Sequence, residues 1–192
     1  MKILILNGSA HRNGSVSKML KEIRNNIPES NSVEEINVYD LHFAPCTGCM
    51  KCRSTGTCCM QHDDAHNFAE KIKDADALVI GSPTYWGNMN GYLKMLFDRI
   101  VPVLMGESKK GLPIPMQKGK KAAIAISCTT PFPFNIIAGQ TTKNKRALKE
   151  ILKYSGYKTV GTMVMPGTKM HNDISDRLGK KAKKIAKRIS KN

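Results

Sequence analysis

No stretch of this chain approaches the roughly 18 consecutive apolar residues that a membrane-spanning helix needs. The opening run Met-Lys-Ile-Leu-Ile-Leu is also too short for the apolar core of a signal peptide. The expectation is a soluble, cytoplasmic protein with no membrane partner. Acidic residues are scarce, 15 Asp and Glu against 31 Lys and Arg, for a formal charge of +16. Most of the imbalance is local: from Lys143 to Asn192 there are 15 basic residues and three acidic ones. Many of these lysines surround an apolar stripe of Leu178, Ala182, Ile185, Ala186 and Ile189, the pattern of an amphipathic helix with a solvated basic face. That disfavours a nucleic-acid partner, although a basic surface also attracts anionic cofactors and acidic electron-transfer proteins. Repeats, low-complexity tracts and interdomain linkers are absent, and 192 residues suit one domain with one core.

Two nucleotide-binding patterns are missing as well. The Rossmann fingerprint G-x-G-x-x-G needs three glycines where the first loop has only Gly8 and Gly14. The Walker loop needs four residues between its glycines and then Lys, whereas here there are five and then Ser15. Nor is there a second Cys-x2-4-Cys pair that would complete a structural zinc site, since Cys128 stands alone.

What is present is a regular alternation. Lys2 to Asn7 and Ala77 to Gly81 are continuous apolar runs suited to strands buried on both faces, joined by Val33 to Tyr39, Ala122 to Ser127 and Tyr157 to Met165. Between them, apolar residues recur at helical spacing: Met19, Leu20, Ile23 and Ile27; Phe68, Ala69 and Ile72; Leu93, Leu96, Phe97 and Ile100; Ala147, Leu148, Ile151 and Leu152. Asp63 or Asp64 and Thr141 or Thr142 are placed to cap helices, and Gly156 to end one. Gly106 to Gly119 shows neither helical nor strand period and reads as an excursion or subunit contact. Cys128 to Gln140, with Pro131 and Pro133, reads as a loop. Five strands alternating with helices predict an α/β fold with a parallel sheet covered on both faces.

In such sheets ligands bind beyond the carboxyl ends of the strands. Three loops leave strands there. Gly8 to Ser17 carries Ser9, His11, Arg12, Asn13, Ser15 and Ser17 at a helix N-terminus, where free N–H groups and the helix dipole favour a phosphate; the competing reading is an ordinary turn with Ser15 as cap. Ser82 to Met89 pairs backbone donors with Tyr85 and the only tryptophan, Trp86, which suits a planar heteroaromatic ring. Ser127 to Phe134 is the third.

Five of the six cysteines fall between Cys46 and Cys59. Cys46, Cys49, Cys52 and Cys58 are spaced C-x2-C-x2-C-x5-C, which suits an iron–sulfur cluster better than zinc, and Cys59 could replace Cys58 or do nothing. His62 and His66, beside them, read as surface residues.

Asn-Gly-Ser-x-x-x-Asn-Gly-Ser at residues 7–15, the cysteine pattern ending in Asp63-Asp64, and Gly-Ser-Pro-Thr-Tyr-Trp-Gly-Asn-Met-Asn-Gly at residues 81–91 together resemble the flavodoxin-like NAD(P)H-dependent FMN reductase family, within it most closely the iron–sulfur flavoproteins. The resemblance implies a three-layer flavodoxin-like fold with sheet order 2-1-3-4-5, a cysteine-rich insertion at about 44–62, non-covalent FMN and a homodimer or homotetramer. It carries phosphate binding onto Ser9, His11, Asn13, Ser15, Val16 and Ser17. Ring and ribityl contacts fall on Pro83, Thr84, Tyr85, Trp86, Gly87 and Asn88, with Cys128 and Thr129 in the third loop. It assigns a cluster, [4Fe–4S] by type, to Cys46, Cys49, Cys52 and Cys58. Val16 offers its N–H but no hydroxyl where the family often has Thr. NAD(P)H as co-substrate follows, with a small molecule or a protein such as ferredoxin as electron donor or acceptor. Flavin chemistry needs position and electrostatics rather than a side-chain acid or nucleophile, so no catalytic side chain is expected. The alternatives are a flavodoxin-like electron carrier, or a basic binding protein, without NAD(P)H oxidation.

Overall fold

The computed structural model describes residues 1–171 and 173–191. Strand β1 (Lys2–Asn7) leads to helix α1 (Ser15–Asn25) and strand β2 (Ser32–Asn37). The cysteine segment follows, with a one-turn helix α2 (Cys52–Thr55), then helix α3 (Asp64–Asp74), strand β3 (Ala77–Pro83), helix α4 (Gly91–Arg99) and a short helix α5 (Val101–Leu104). A ribbon of β4 (Met105–Glu107) and β5 (Pro113–Pro115) precedes β6 (Lys121–Ser127). A helical turn α6 (Phe134–Ile137), helix α7 (Gln140–Ser155), strand β7 (Lys158–Met165) and the basic helix α8 (Asp176–Ile189) complete the chain.

The main sheet runs β2-β1-β3-β6-β7, and every neighbouring pair is parallel. Counting only its own strands, that is the flavodoxin-like order 2-1-3-4-5. Alternation along β1 explains the three layers. Leu4 and Leu6 face a core shared with Phe68, Ile72, Leu93, Leu96 and Leu148 on α3, α4 and α7. Ile3 and Ile5 face the other core, with Met19, Leu20 and Ile23 of α1 and Ala182, Ile185 and Ile189 of α8. A strand buried on both sides has no polar face to alternate with, which is why the run reads as continuously apolar.

Several boundaries depart from the sequence reading. The second strand stops at Asn37 rather than Tyr39: Val38–Asp40 turns into a 3₁₀ helix because the Asn37 side chain accepts the Tyr39 N–H at 2.9 Å. Within the supposedly unstructured Gly106 to Gly119, Pro113–Pro115 pairs antiparallel with Met105–Glu107. A two-stranded ribbon is all edge, so prolines are tolerated in it. Phe134–Ile137 makes a helical turn inside the predicted loop. Helix α7 begins after Gly139, in the left-handed region at φ 71°, and neither threonine caps it. Thr141 is buried instead, accepting a bond from the Asn135 side chain at 2.9 Å. Gly156 does end α7, at φ 89°. On α8 the apolar stripe packs inward and Ser175 supplies the cap.

Candidate functional site

The carboxyl ends of β1, β3 and β6 open onto three loops bound to one another. Gly8 donates its N–H to the Gly81 carbonyl at 2.8 Å, and Thr84 donates to the Ser127 carbonyl at 2.9 Å. Asn90 holds the first two loops together: its amide donates to the Gly8 carbonyl while its side-chain oxygen caps α4 by accepting the Leu93 N–H at 2.8 Å. From the other side the Asn37 amide donates to the Ser9 carbonyl at 2.9 Å. Gly8 sits at a close approach of the loops. A Cβ there would lie 2.7 Å from the Gly81 carbonyl oxygen and 2.8 Å from Leu93 Cδ2.

The first loop is shaped by its own polar side chains. Asn7 Oδ1 accepts the Ser9 N–H at 3.1 Å, and Ser9 Oγ accepts the His11 N–H at 3.2 Å. Ser17 Oγ accepts from the Asn7 amide at 2.9 Å and donates to the His11 carbonyl at 3.1 Å. Gly14, not Ser15, occupies the cap position of α1, and no side chain caps it. Consequently the N–H groups of Ser15, Val16 and Ser17 find no acceptor among the described residues. Three free donors on the first turn of an 11-residue helix are an arrangement that suits an anion. Val16 is 1% exposed, its side chain in the core, so only its N–H faces the loop's ligand side. Arg12 reaches away from the helix to Asp40, whose hydrogen bond holds the guanidinium above its ordinary pKa and Asp40 below its own.

In the second loop Tyr85 and Asn88 exchange two backbone bonds of 2.9 Å around Trp86 and Gly87. Both central residues have positive φ, 52° and 75°. Glycine takes that conformation freely; tryptophan does not, and a bulky residue held there is a strained feature of the kind that gathers at ligand sites. Trp86 is fully exposed and Tyr85 half-exposed. Neither the Trp86 nor the Gly87 N–H has an acceptor among the described residues. Pro83 and Thr84 are fixed from behind by Asn144, whose amide donates to the Pro83 carbonyl and to Thr84 Oγ1, each at 3.1 Å. In the third loop the Cys128 side chain is buried, and its backbone is committed to the end of β7 at Met165 and to Thr168 just after it. Thr129 is the exposed member of that pair. Thus Ser9, His11, Asn13, Ser15, Val16 and Ser17 share one loop and helix start, and Pro83 to Asn88 lie on the loop bound to it.

The cysteine segment is a different construction. Cys46, Cys49 and Cys59 are exposed, and Cys52 and Cys58 half-buried. Cys49 and Cys59 bring their sulfurs to 3.7 Å. A backbone hydrogen bond from Lys51, aided by the Cys59 thiol, lowers the Cys49 pKa; burial raises that of Cys52, and Cys58, Cys46 and Cys49 all lie near enough to push it further. Among the described residues no group of three or more His, Cys, Asp or Glu is gathered so as to hold a metal ion. The donor set is nonetheless all thiol and confined to one short segment, the chemistry that suits an iron–sulfur cluster.

The segment's base is closed by residues to which the sequence alone attaches no functional role. Arg99, 3% exposed, sends one guanidinium nitrogen to Asp63 Oδ2 at 2.8 Å and to the Ala44 carbonyl at 2.5 Å, and the other to Asp63 Oδ1 at 3.0 Å. Asp63 caps α3 by accepting the Ala65 N–H at 3.1 Å and also accepts the Ala44 N–H at 3.3 Å. His66 is not a free surface residue. It completes a capping box with Asp63, and its Nε2 lies 3.3 Å from the Cys58 carbonyl oxygen. Burial opposes the charge on Arg99, but bonds to Asp63 and the contact with Cys58 outweigh it and raise the guanidinium pKa. The signal for this residue is its position: Arg99 falls on the apolar stripe of α4 with Leu96 and Ile100. A charge on an apolar stripe has a partner waiting in the fold.

A family model described as NADPH-dependent FMN reductase matches residues 1–129. An iron–sulfur flavoprotein of Methanocaldococcus jannaschii is 36% identical over 107 residues, covering 55% of this chain and 55% of that protein. Another, from Archaeoglobus fulgidus, is 36% identical over 107 residues, covering 55% of this chain and 52% of its own. The chain thus spans about half the length of the curated relatives it matches. Among solved structures, Smu.1420 from Streptococcus mutans superposes with a TM-score of 0.76 at 23% identity over 99% of both chains. An NAD(P)H:quinone oxidoreductase from Methanothermobacter marburgensis gives 0.72 at 18% identity, covering 100% of this chain and 97% of that one. At those identities the superpositions speak to the fold.

Proposed function

The chain belongs to the NADPH-dependent FMN reductase family, and on that premise we propose that it is an FMN-dependent oxidoreductase that uses NAD(P)H as co-substrate. The observation that carries this reading is the juxtaposition of three unpartnered N–H donors at the start of α1 with a strained, solvent-facing Tyr85-Trp86-Gly87-Asn88 turn on the loop bound to it. The donors of Ser15, Val16 and Ser17, with Ser9, His11 and Asn13 around them, take the FMN phosphate. Pro83 to Asn88 meet the ring and ribityl chain, the free N–H groups of Trp86 and Gly87 addressing the ring edge, and Cys128 and Thr129 close the third side. Bound FMN supplies hydride and single-electron transfer. The protein's work is to hold the ring edge with fixed backbone donors, to keep the ring face beside Trp86, and to do so without a catalytic acid or base.

The expected preparation is yellow, with FMN near one per chain or titrating to that value. A protein that shows no flavin in its visible spectrum after FMN is added would overturn the reading.

Within the same frame Cys46, Cys49, Cys52 and Cys58 would hold a [4Fe–4S] cluster, favoured by an all-thiol donor set confined to one short segment. Anaerobic protein should contain iron and sulfide that disappear in Cys49→Ala; anaerobic protein without either ends this part of the proposal. With its cofactors bound, the protein would exchange electrons with a small molecule or a ferredoxin-like protein in the cytoplasm. The chain is read as one FMN-binding domain over residues 1–192, with the cysteine segment inserted at about 44–62. The exposed Trp86, Phe132, Phe134, Ile136 and Ile137 favour a homodimer or homotetramer. No helix among the described residues is long and apolar enough to cross a membrane.

A further inference from the structure

Arg99 and its partners lie outside the flavin loops, and burial makes them expensive. An arginine whose side chain is 1% exposed is costly, since a buried charge loses hydration that only well-placed partners restore. Its position on the apolar stripe of α4 would take leucine or methionine without that cost. What arginine supplies and leucine does not is a planar fork of donors.

Those donors go to the two ends of the cysteine segment and to little else. The Ala44 carbonyl stands two residues before Cys46, and Asp63 stands four residues after Cys59. Asp63 returns the contact by accepting the Ala44 N–H, and Asp64 accepts the His42 N–H at 2.8 Å. The segment between is mostly exposed, with one short helix and an ion pair from Arg53 to Glu107 at 3.1 Å as its other main tie. Arg99 also lines, with Cys58, His66 and Ala65, a cavity of about 60 Å³, and its buried Nε has no partner among the described residues.

We propose that Arg99 is the positioning residue of the cysteine segment: its guanidinium closes Ala44 onto Asp63 and sets a permanent positive charge against Cys58, the last thiol of the cluster set. The proposal rests on the cluster reading above for the second of these effects and not for the first. Closing the base makes the segment a loop with fixed ends, so the thiols search a smaller volume before a cluster joins them. The charge acts afterwards. A [4Fe–4S] cluster with four thiolates is an anion that becomes more negative on reduction, so a nearby buried cation favours the reduced form and raises the potential.

The test uses full-length, FMN-loaded protein and three variants: Arg99→Met, which removes fork and charge; Arg99→Lys, which keeps the charge and loses the fork; and Asp63→Asn, which removes the anionic end of the clasp. Hydrogen exchange in the cluster-free protein reads the first effect. Amides of residues 44–60 should exchange about tenfold faster or more in Arg99→Met and Arg99→Lys, while those of α1 stay as in the parent. Asp63→Asn gives the same acceleration and serves if Arg99→Met does not fold. Potentiometry of the anaerobic, iron-loaded protein reads the second: the cluster potential becomes more negative in Arg99→Met and stays near the parent value in Arg99→Lys. Unchanged exchange over 44–60 in folded variants overturns the clasp, and an unchanged potential in Arg99→Met overturns the role of the charge. Failure of the parent itself to assemble iron would refute the cluster reading and with it the second effect, leaving the exchange result to decide the first.

Discussion

The strand-end loops and the cysteine segment, the two places proposed above to hold a redox group, are built by opposite means. The loops are cross-tied by backbone bonds between β1, β3 and β6, and their shape is a consequence of the sheet. The segment hangs from one buried ion pair and a capping box, with three of its five thiols exposed. A ligand entering the loops finds donors already aimed. One entering the segment must do part of the folding itself. The first arrangement favours a cofactor that is exchanged whole; the second favours one assembled in place.

The comparison breaks first where the loops touch. Gly8→Val would drive a side chain into the Gly81 carbonyl and Leu93, the former being backbone that cannot step aside. The expected loss is about 3 kcal/mol of unfolding free energy together with loss of FMN binding, read by denaturant titration and flavin fluorescence. A variant of unchanged stability that still binds FMN would show the loops to be far looser than their bonds suggest.

Next is the clasp. In Asp63→Asn the half-empty pair should lower stability by about 2 kcal/mol at neutral pH, less than for a fully buried pair because Asp63 keeps some contact with water. Its pH dependence gives the sign. Burial raises the Asp63 pKa, but its hydrogen bonds, those from Arg99 first, more than offset it, leaving the folded value below the ordinary one. The contribution is therefore complete above the unfolded-state aspartate pKa of about 3.9 and is lost as pH falls through the lower folded value. Parent and variant stability curves should converge in acid. Parallel curves there would remove Asp63 from the account.

Trp86→Ala comes third and acts on one property alone. Because the side chain is fully exposed, stability should change by no more than about 0.5 kcal/mol, whereas FMN affinity should fall several-fold, for a lost flat contact worth about 1 kcal/mol. Equal affinity in the two proteins would assign Trp86 to another role.

The two regions also differ in how far the amino-acid sequence reveals them. Runs such as Ile3 to Leu6 suit only strands covered on both sides, so the sheet is legible in the pattern of apolar residues. So is the first loop, because its side chains bond within a few residues of themselves: Ser9 to His11, Asn7 to Ser9. Asn37, Asn90 and Asn144 give no such signal. Each joins segments far apart in the chain, and an isolated asparagine carries no local period to betray that. Arg99 is legible in principle, as a charge on an apolar stripe, but its partners Ala44 and Asp63 lie 55 and 36 residues away. Thr141 misleads because an N-terminal threonine usually caps, and here the buried Asn135 claims its hydroxyl.

The smallest effect tests the comparison most directly. Cys46 is exposed, and its sulfur accepts the nearby Gly48 N–H at 3.4 Å, so Cys46→Ser should leave stability within about 0.5 kcal/mol of the parent. FMN affinity should likewise stay within about twofold, because residues without shared partners act independently. Iron content should fall in the same sample. If the regions are separate constructions, combining Cys46→Ser with Trp86→Ala should give the sum of the single effects on FMN affinity to within about 0.5 kcal/mol. A larger departure would mean that the segment reaches the flavin loops through some path other than the clasp. The Tyr39–Tyr92 stack, with ring centroids 5.0 Å apart and Tyr85 near enough to act on Tyr39, is where that path would run.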